Sequence, residues 1–325
     1  MTAVQQVDIH PARSNAQRAG FYYLWQLQKN ALTGPQLICK RLYCSPSFAY
    51  DMGVSILAPY LDDQLIRGRS YFTREEVLAA LRLSPQALTS ALTRLIKNQR
   101  LANPRHGFYL ILRPEDRVTG APDPVRWIDP LMKYQGVDYR ISLLRAAAFH
   151  GSSHQAAMTF QVIAPRQLRD FEIGRHRLQF VYQSPSAFIK VNQPDWLGSM
   201  KSDAGFAKVA SIELTLLDCA RYFHKAAGIN GLTQIVKDLG AKADVGKLAQ
   251  AAKVYENSSV RRLGYLLDHA GHLRQACVLE SFVKKAKAVL PLNPSVKPLI
   301  ASLAGTFPRD SKWMLVINES VEADF

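Results

Sequence analysis

Only four cysteines occur in the 325 residues, Cys39, Cys44, Cys219 and Cys277, and no two form a C-x-x-C pair. Such scattered thiols exclude a sequence-encoded disulfide framework or zinc knuckle and are read as packed or free. No stretch approaches the roughly 18 to 20 consecutive apolar residues that a bilayer-spanning helix needs, so no membrane association is expected. The opening "MTAVQQVDIHPARSNAQRAG" lacks the charged start, apolar core and small-residue cleavage site of a secretory signal. A cytoplasmic location is the expectation. Phosphate-cradling glycine patterns, a nucleophile elbow and kinase signatures are all missing, which disfavours an enzyme and implies no cofactor. A nuclease built from dispersed carboxylates stays open.

Acidic residues are scarce as well. Lys plus Arg number 41 against 26 Asp plus Glu, a formal net charge of +15, and a surplus of this size suits a polyanionic partner. Relative to length, the surplus is densest before residue 115. An apolar fraction of 48% and a charged fraction of 21% are those of a globular chain, and its length suits two domains.

Residues 1–51 are read as an N-terminal extension of unassigned role, with one short aromatic run, "FYYLWQLQ", at Phe21–Gln28. Met52 precedes the first strongly helical pattern, and one reading takes it as the natural start. Residues 52–113 follow the pattern of a winged helix-turn-helix. In "SILAPYLDDQLIRGRS", Ile56, Leu57, Tyr60, Leu61, Leu65 and Ile66 form an apolar stripe at helical spacing. Thr73 with Glu76 has the spacing of a capping box for "REEVLAALRL", whose Val77, Leu78 and Leu81 are expected to face inward.

Ser84 followed by Pro85 starts a second helix, because proline at the first helical position forfeits no needed N–H. Leu88, Ala91, Leu92, Leu95 and Ile96 are its expected buried side. The opposite face carries Gln86, Thr89, Ser90, Thr93 and Lys97, with Arg94 at the margin, and no acidic residue. Such side chains hydrogen-bond base edges and phosphates, and a second helix after a tight turn is the one that enters the major groove. A hairpin follows: Leu101 and Ala102, the turn "NPRHG", then "FYLIL". Arg105 and His106 at its tip and Arg100 at its base would lie along the phosphates of double-stranded DNA.

Residues 114–275 are expected to form a second domain of α+β class. "RPEDRVTGAPDPVRW" reads as a linker, and "YRISLLRAAAFHG" as a helix ended by Gly151. "MTFQVIAP", "HRLQFVYQ" and "AFIKVNQ" read as strands, and "SIELTLLDCARYFHKAAG" as a helix capped by Ser211. Helices are expected again around "GLTQIVKDLG", "DVGKLAQAAKVYE" and "SSVRRLGYLLDHAG". Residues 276–325 add an amphipathic helix with Val278, Phe282, Val283, Ala286 and Leu290 on one side and Lys284, Lys285 and Lys287 on the other. "KWMLVINE" reads as a late strand completing the second domain's sheet, before a frayed acidic end.

His150 and His154 have metal-ligand spacing, but Gly151 between them ends the helix and no third ligand is near, so no metal site is expected. Glu213 belongs in the first turn of its helix, where it meets the helix dipole. Asp218 sits in an apolar stretch and needs a partner, Arg145 or Arg221, for a structural ion pair rather than a general base.

The segments "YRISLLRAAAFHGSSHQAAMTFQV", "SIELTLLDCARYF" and "SSVRRLGYLLDHAG" resemble the antitoxin domain of the AbiEi family. The layout, a winged helix before this domain, is similar too, and the resemblance runs from about residue 55 to 275. It implies a bacterial type IV toxin–antitoxin antitoxin. Such a protein binds inverted repeats in its own promoter and counters a nucleotidyltransferase-like toxin without needing a stable complex with it. A ligand-sensing winged-helix regulator with no toxin partner is the rival reading.

Overall fold

The computed structural model describes residues 46–152, 159–284, 286–297 and 306–321. Phe21–Gln28, Cys39, Cys44, His154, Lys285 and residues 322–325 lie outside them. Helix α1 spans Pro46–Ile66 and so begins ahead of Met52. Its inward seam is Leu57, Leu61 and Gln64; Ile56 and Ile66, expected in the stripe, are 42% and 85% exposed. The helix packs chiefly on one neighbour, the later helix at Pro85–Lys97, and a single partner buries a narrow seam rather than a broad face.

Strand β1 (Tyr71–Thr73) runs into α2 (Arg74–Leu81) through a reciprocal cap. The Glu76 amide donates to Thr73 Oγ1 at 3.2 Å and the Thr73 amide donates to Glu76 Oε2 at 2.8 Å. Val77 is buried in α2, while Leu78 and Leu81 are half-buried. Arg82 then takes a left-handed conformation, φ 50°, which turns the chain towards Ser84. Ser84 Oγ accepts from the Ala87 amide at 3.2 Å and opens α3 (Pro85–Lys97). Leu88, Ala91, Leu92 and Leu95 are buried as expected, but Ile96 is 39% exposed, because it faces a cleft rather than the core.

Strands β2 (Leu101–Arg105) and β3 (Phe108–Ile111) complete an antiparallel sheet of order β1-β3-β2. All four residues of β3 are buried, so this sheet is covered on both sides. Tyr109 and Ile111 pack with Leu57, Phe72 and Leu92. Phe108 and Leu110, together with Ala102 and Leu112, belong instead to the core of the larger C-terminal part. Pro46–Phe325 is accordingly one compact unit.

The expected linker is ordered structure. Asp116–Thr119 forms one turn, α4, and Asp123 caps α5 (Pro124–Tyr134) by accepting from the Val125 amide at 2.9 Å. Trp127 in α5 is fully buried, which a linker residue would not be. Strand β4 (Arg140–Ile141) and α6 (Leu143–Phe149) divide the stretch expected to be one helix. Ile141 is drawn into a strand because it pairs with Val162 on one side and Val209 on the other.

Strands β5 (Thr159–Ala164), β6 (Phe171–Ile173) and β7 (His176–Tyr182) follow, then α7 (Pro185–Val191), β8 (Leu197–Ser202) and β9 (Gly205–Ala210). The mixed sheet has the order β6-β7-β5-β4-β9-β8, with β7-β5 and β4-β9 parallel. "AFIKVNQ", expected to be a strand, is largely α7: Ser184–Pro185 starts a helix, and the buried residues Phe188 and Val191 are a helical step apart. The remaining helices are α8 (Ile212–Arg221), α9 (Gly228–Leu239), α10 (Val245–Ala252), α11 (Asn257–His269) and α12 (Leu273–Val283). The sequence pattern had carried α12 on to Leu290, but Leu290 instead enters β10 (Leu290–Pro291). With β11 (Arg309–Asp310) and β12 (Leu315–Val316) it makes a separate small sheet, so "KWMLVINE" does not extend the main one. The fold is α+β.

Candidate nucleic-acid interface

Helix α3 presents Gln86, Thr89, Thr93, Arg94 and Lys97 as exposed residues and Ser90 as half-buried, on a helix with no carboxylate. Of the two acidic residues in the first turn of α2, Glu75 is exposed, while Glu76 pairs with Arg69 at 3.0 Å and caps the helix. The hydroxyls of Thr89 and Thr93 point back along the helix. Thr89 Oγ1 donates to the Pro85 carbonyl at 2.8 Å and Thr93 Oγ1 to the Thr89 carbonyl at 2.9 Å. That geometry spends both hydroxyl protons on the helix backbone, so neither hydroxyl donates outward.

Arg74 was not singled out from the sequence, yet it holds this helix. Its Nη2 donates to the Pro85 carbonyl at 2.9 Å and to Thr89 Oγ1 at 2.8 Å. The only sequence signal was its position as the first residue after the Thr73 cap. Arg100 lies 3.8 Å from Asp62 in a half-exposed ion pair worth little in water.

The hairpin tip departs from expectation. Arg105 is not extended into solvent: its guanidinium stacks over the Phe171 ring at 4.2 Å and donates to the Arg169 carbonyl. Burial, and then the neighbouring Arg169 charge, lower its pKa from the ordinary arginine value. The hairpin tip is held by the larger part also through Tyr134, whose hydroxyl donates to the His106 carbonyl at 3.2 Å. Gly107, at φ +79°, lets the turn close with the Tyr134 hydroxyl against it; a Cβ there would overlap that oxygen. The His106 side chain remains exposed.

Chemistry-bearing side chains of the larger part are mostly spent on structure. Asp218 is fully buried, and its partner is Arg140 rather than Arg145 or Arg221. Arg140 donates through Nε to Asp218 Oδ2 at 3.0 Å and through Nη2 to Oδ1 at 2.9 Å. Ser142 Oγ and Tyr255 Oη add donors at 2.7 and 2.6 Å, so the carboxylate has four hydrogen bonds and faces no solvent. Burial opposes the Arg140 charge, but Asp218 outweighs it and leaves the pKa raised. Burial, then Asp218, also push the Tyr255 hydroxyl well up, which keeps it a donor. Arg145 instead pairs with Asp123 at 3.1 Å, and Arg221 with Glu256 at 2.6 Å. Glu213 Oε1 accepts the Asp244 amide at 2.7 Å, tying α8 to the start of α10. His150 Nε2 contacts the Ala210 carbonyl at 2.7 Å. Among the described residues no cluster of His, Cys, Asp or Glu could hold a metal ion, and no helix is long and apolar enough to cross a membrane.

The span from Arg140 to His269 encloses this buried network. Residues 140–269 match the AbiEi antitoxin C-terminal domain. Arg140, at the first position of the AbiEi match, and Tyr255, towards its end, are joined through Asp218, so β4 is tied to α8 and to the turn between α10 and α11. No curated protein matches the chain. Among solved structures, the Rv2827c protein from Mycobacterium tuberculosis is similar in fold, with a TM-score of 0.55 at 16% identity, covering 82% of this chain and 91% of that one.

Proposed function

We propose that this protein is a DNA-binding antitoxin that represses its own operon and counters a nucleotidyltransferase-like toxin of a type IV system. The AbiEi domain match supports the antitoxin half and implies a toxin partner in general. The exposed, acid-free face of α3 is the observation that carries the DNA half. In this reading residues 46–113 are a winged helix-turn-helix and α3 enters the major groove. Gln86, Ser90, Arg94 and Lys97 contact base edges and phosphates, while the methyl groups of Thr89 and Thr93 meet thymine methyls. Arg100 and His106 reach phosphates beside the groove. Arg105 is reassigned from phosphate contact to holding the wing on Phe171. The chain acts without a cofactor and is not an enzyme: the engaged carboxylates Asp218 and Glu213 are read as structural.

The test is the affinity for the duplex upstream of its own gene against a scrambled duplex at two salt concentrations. A preference of at least about a thousandfold is expected of a specific binder; equal binding to both sinks the repressor assignment. Rescue from growth arrest by the neighbouring toxin gene tests the antitoxin half separately. A ligand-responsive regulator is the second reading, and the place it would use is a cleft of about 340 Å³ bounded by Ile96 at the end of α3 and Ile173 on β6. Thermal stabilisation by a metabolite, with no protection against the toxin, would decide for it.

A further inference from the structure

The carboxylate of Asp203, a side chain 9% exposed in the turn between β8 and β9, reaches across to the start of β1. Its Oδ2 accepts the Ser70 amide at 3.0 Å, and its Oδ1 accepts Arg126 Nε at 3.0 Å. Arg126 Nη2 also donates to Oδ2 at 3.4 Å, and the Asp203 amide in turn donates to the Arg126 carbonyl at 2.9 Å, so Arg126 holds Asp203 by three bonds. Ser70 is fully buried and its carbonyl accepts the Ile111 amide at 2.7 Å. An amide so placed needs a partner, and Asp203 supplies it.

Three residues of β1 lead from Ser70 to Arg74, whose amide donates to the Gly107 carbonyl at 2.8 Å. The Arg74 guanidinium then grips the first turn of α3 at the Pro85 carbonyl and Thr89 Oγ1. A continuous set of hydrogen bonds and one short strand thus runs from the hairpin of the larger part to the candidate reading helix. The rings of the shared sheet meet at the same junction: Phe108 stacks on Tyr71 and tilts against Tyr134 at centroid distances of 5.5 and 5.6 Å.

We propose that Asp203 is a positioning residue for α3: it sets the angle at which the larger part holds the reading helix, and so controls sequence-specific affinity without touching DNA. The proposal rests on the DNA-reading assignment above. Its geometric part does not.

The experiment compares full-length wild type with Asp203→Ala, Asp203→Asn and Arg126→Gln. Each is measured for affinity to the upstream and scrambled duplexes and for amide hydrogen exchange at Ser70 and Ile111, at a temperature where all are folded. Asp203→Ala is expected to lose specific affinity by about tenfold while scrambled-duplex binding holds, since a mispositioned helix still meets phosphates. Asp203→Asn keeps an oxygen acceptor for the Ser70 amide and should recover most of that loss. Arg126→Gln, which removes the guanidinium bonds to the carboxylate but keeps the backbone bond and the Ser70 contact, should fall between them. Lowered melting temperatures with unchanged specific affinity in all three variants would overturn the proposal, as would Ser70 exchange unaffected by Asp203→Ala. Should wild type itself fail to prefer its upstream duplex, the DNA assignment falls, while fast Ser70 exchange in Asp203→Ala alone would still uphold the clamp.

Discussion

Arg140 and Asp218 form a two-bond ion pair at 3.0 and 2.9 Å with neither side chain exposed at all. Removing one partner leaves the other charged and dry. Asp218→Ala or Arg140→Ala is expected to cost about 3 to 5 kcal/mol, enough to unfold many domains, whereas replacing both with apolar residues of similar volume should cost much less. Denaturant melts of the two single variants and the double variant check this. Additive losses would show that the two charges are not coupled.

The shared sheet makes a second expectation sharp. Residues 46–113 cut from the rest would expose the Ala102, Phe108, Leu110 and Leu112 side that the larger core now covers. That fragment should aggregate or show no cooperative thermal transition by circular dichroism. A cleanly folding fragment would mean that the module's own core, around Leu57, Phe72 and Leu92, suffices.

This arrangement also explains what was and was not legible in the sequence. Caps are local, so Thr73, Ser84 and Ser211 each mark a helix start that the structure repeats. The buried row of α3 was legible because one helix face meets one core. Partners distant in the chain were not: that Asp218 needs a cation follows from its apolar neighbours, but Arg140 is 78 positions away. The engagement of Arg105 was hidden for the same reason, since Phe171 and Arg169 come from another part of the chain. One signal of the shared sheet is local. "FYLIL" is apolar throughout rather than alternating, the mark of a strand buried on both faces.

Gly264 in α11 lies beneath the indole of Trp313, and a Cβ there would overlap the six-membered ring. Alanine would ordinarily favour the helix by about 1 kcal/mol. Here the overlap should dominate, so Gly264→Ala is expected to destabilise by about 1 to 3 kcal/mol, as overpacked cores do. A raised melting temperature would show that the indole moves aside freely.

Asp268 links the same indole to solvent. Burial raises its pKa, but hydrogen bonds from Lys312 and from Trp313 Nε1, at 2.8 and 3.1 Å, lower it by more, leaving it below the usual carboxylate range. A depressed carboxylate stabilises the fold above its unfolded pKa of about 4 and loses that contribution as pH falls through the folded value. Asp268→Asn should therefore be less stable than wild type at neutral pH and approach it in strong acid. A constant gap between their melting temperatures from pH 7 down to pH 2 would contradict this.

Lys97 and Arg105 separate the two roles that basic residues play around α3. Lys97 is exposed at the end of the candidate reading helix, whereas Arg105 is occupied by Phe171 and the Arg169 carbonyl. If Lys97 meets a phosphate, Lys97→Ala should weaken binding to every duplex and reduce the slope of log affinity against log salt by about one. Arg105→Ala should leave that slope unchanged, because its charge makes no phosphate contact, and should instead lower the melting temperature by loosening the wing from β6. Fluorescence anisotropy at several salt concentrations, paired with thermal melts, measures both quantities. A slope that falls for Arg105→Ala and holds for Lys97→Ala would place the DNA across the hairpin tip rather than along α3, and would require the wing to leave Phe171 on binding.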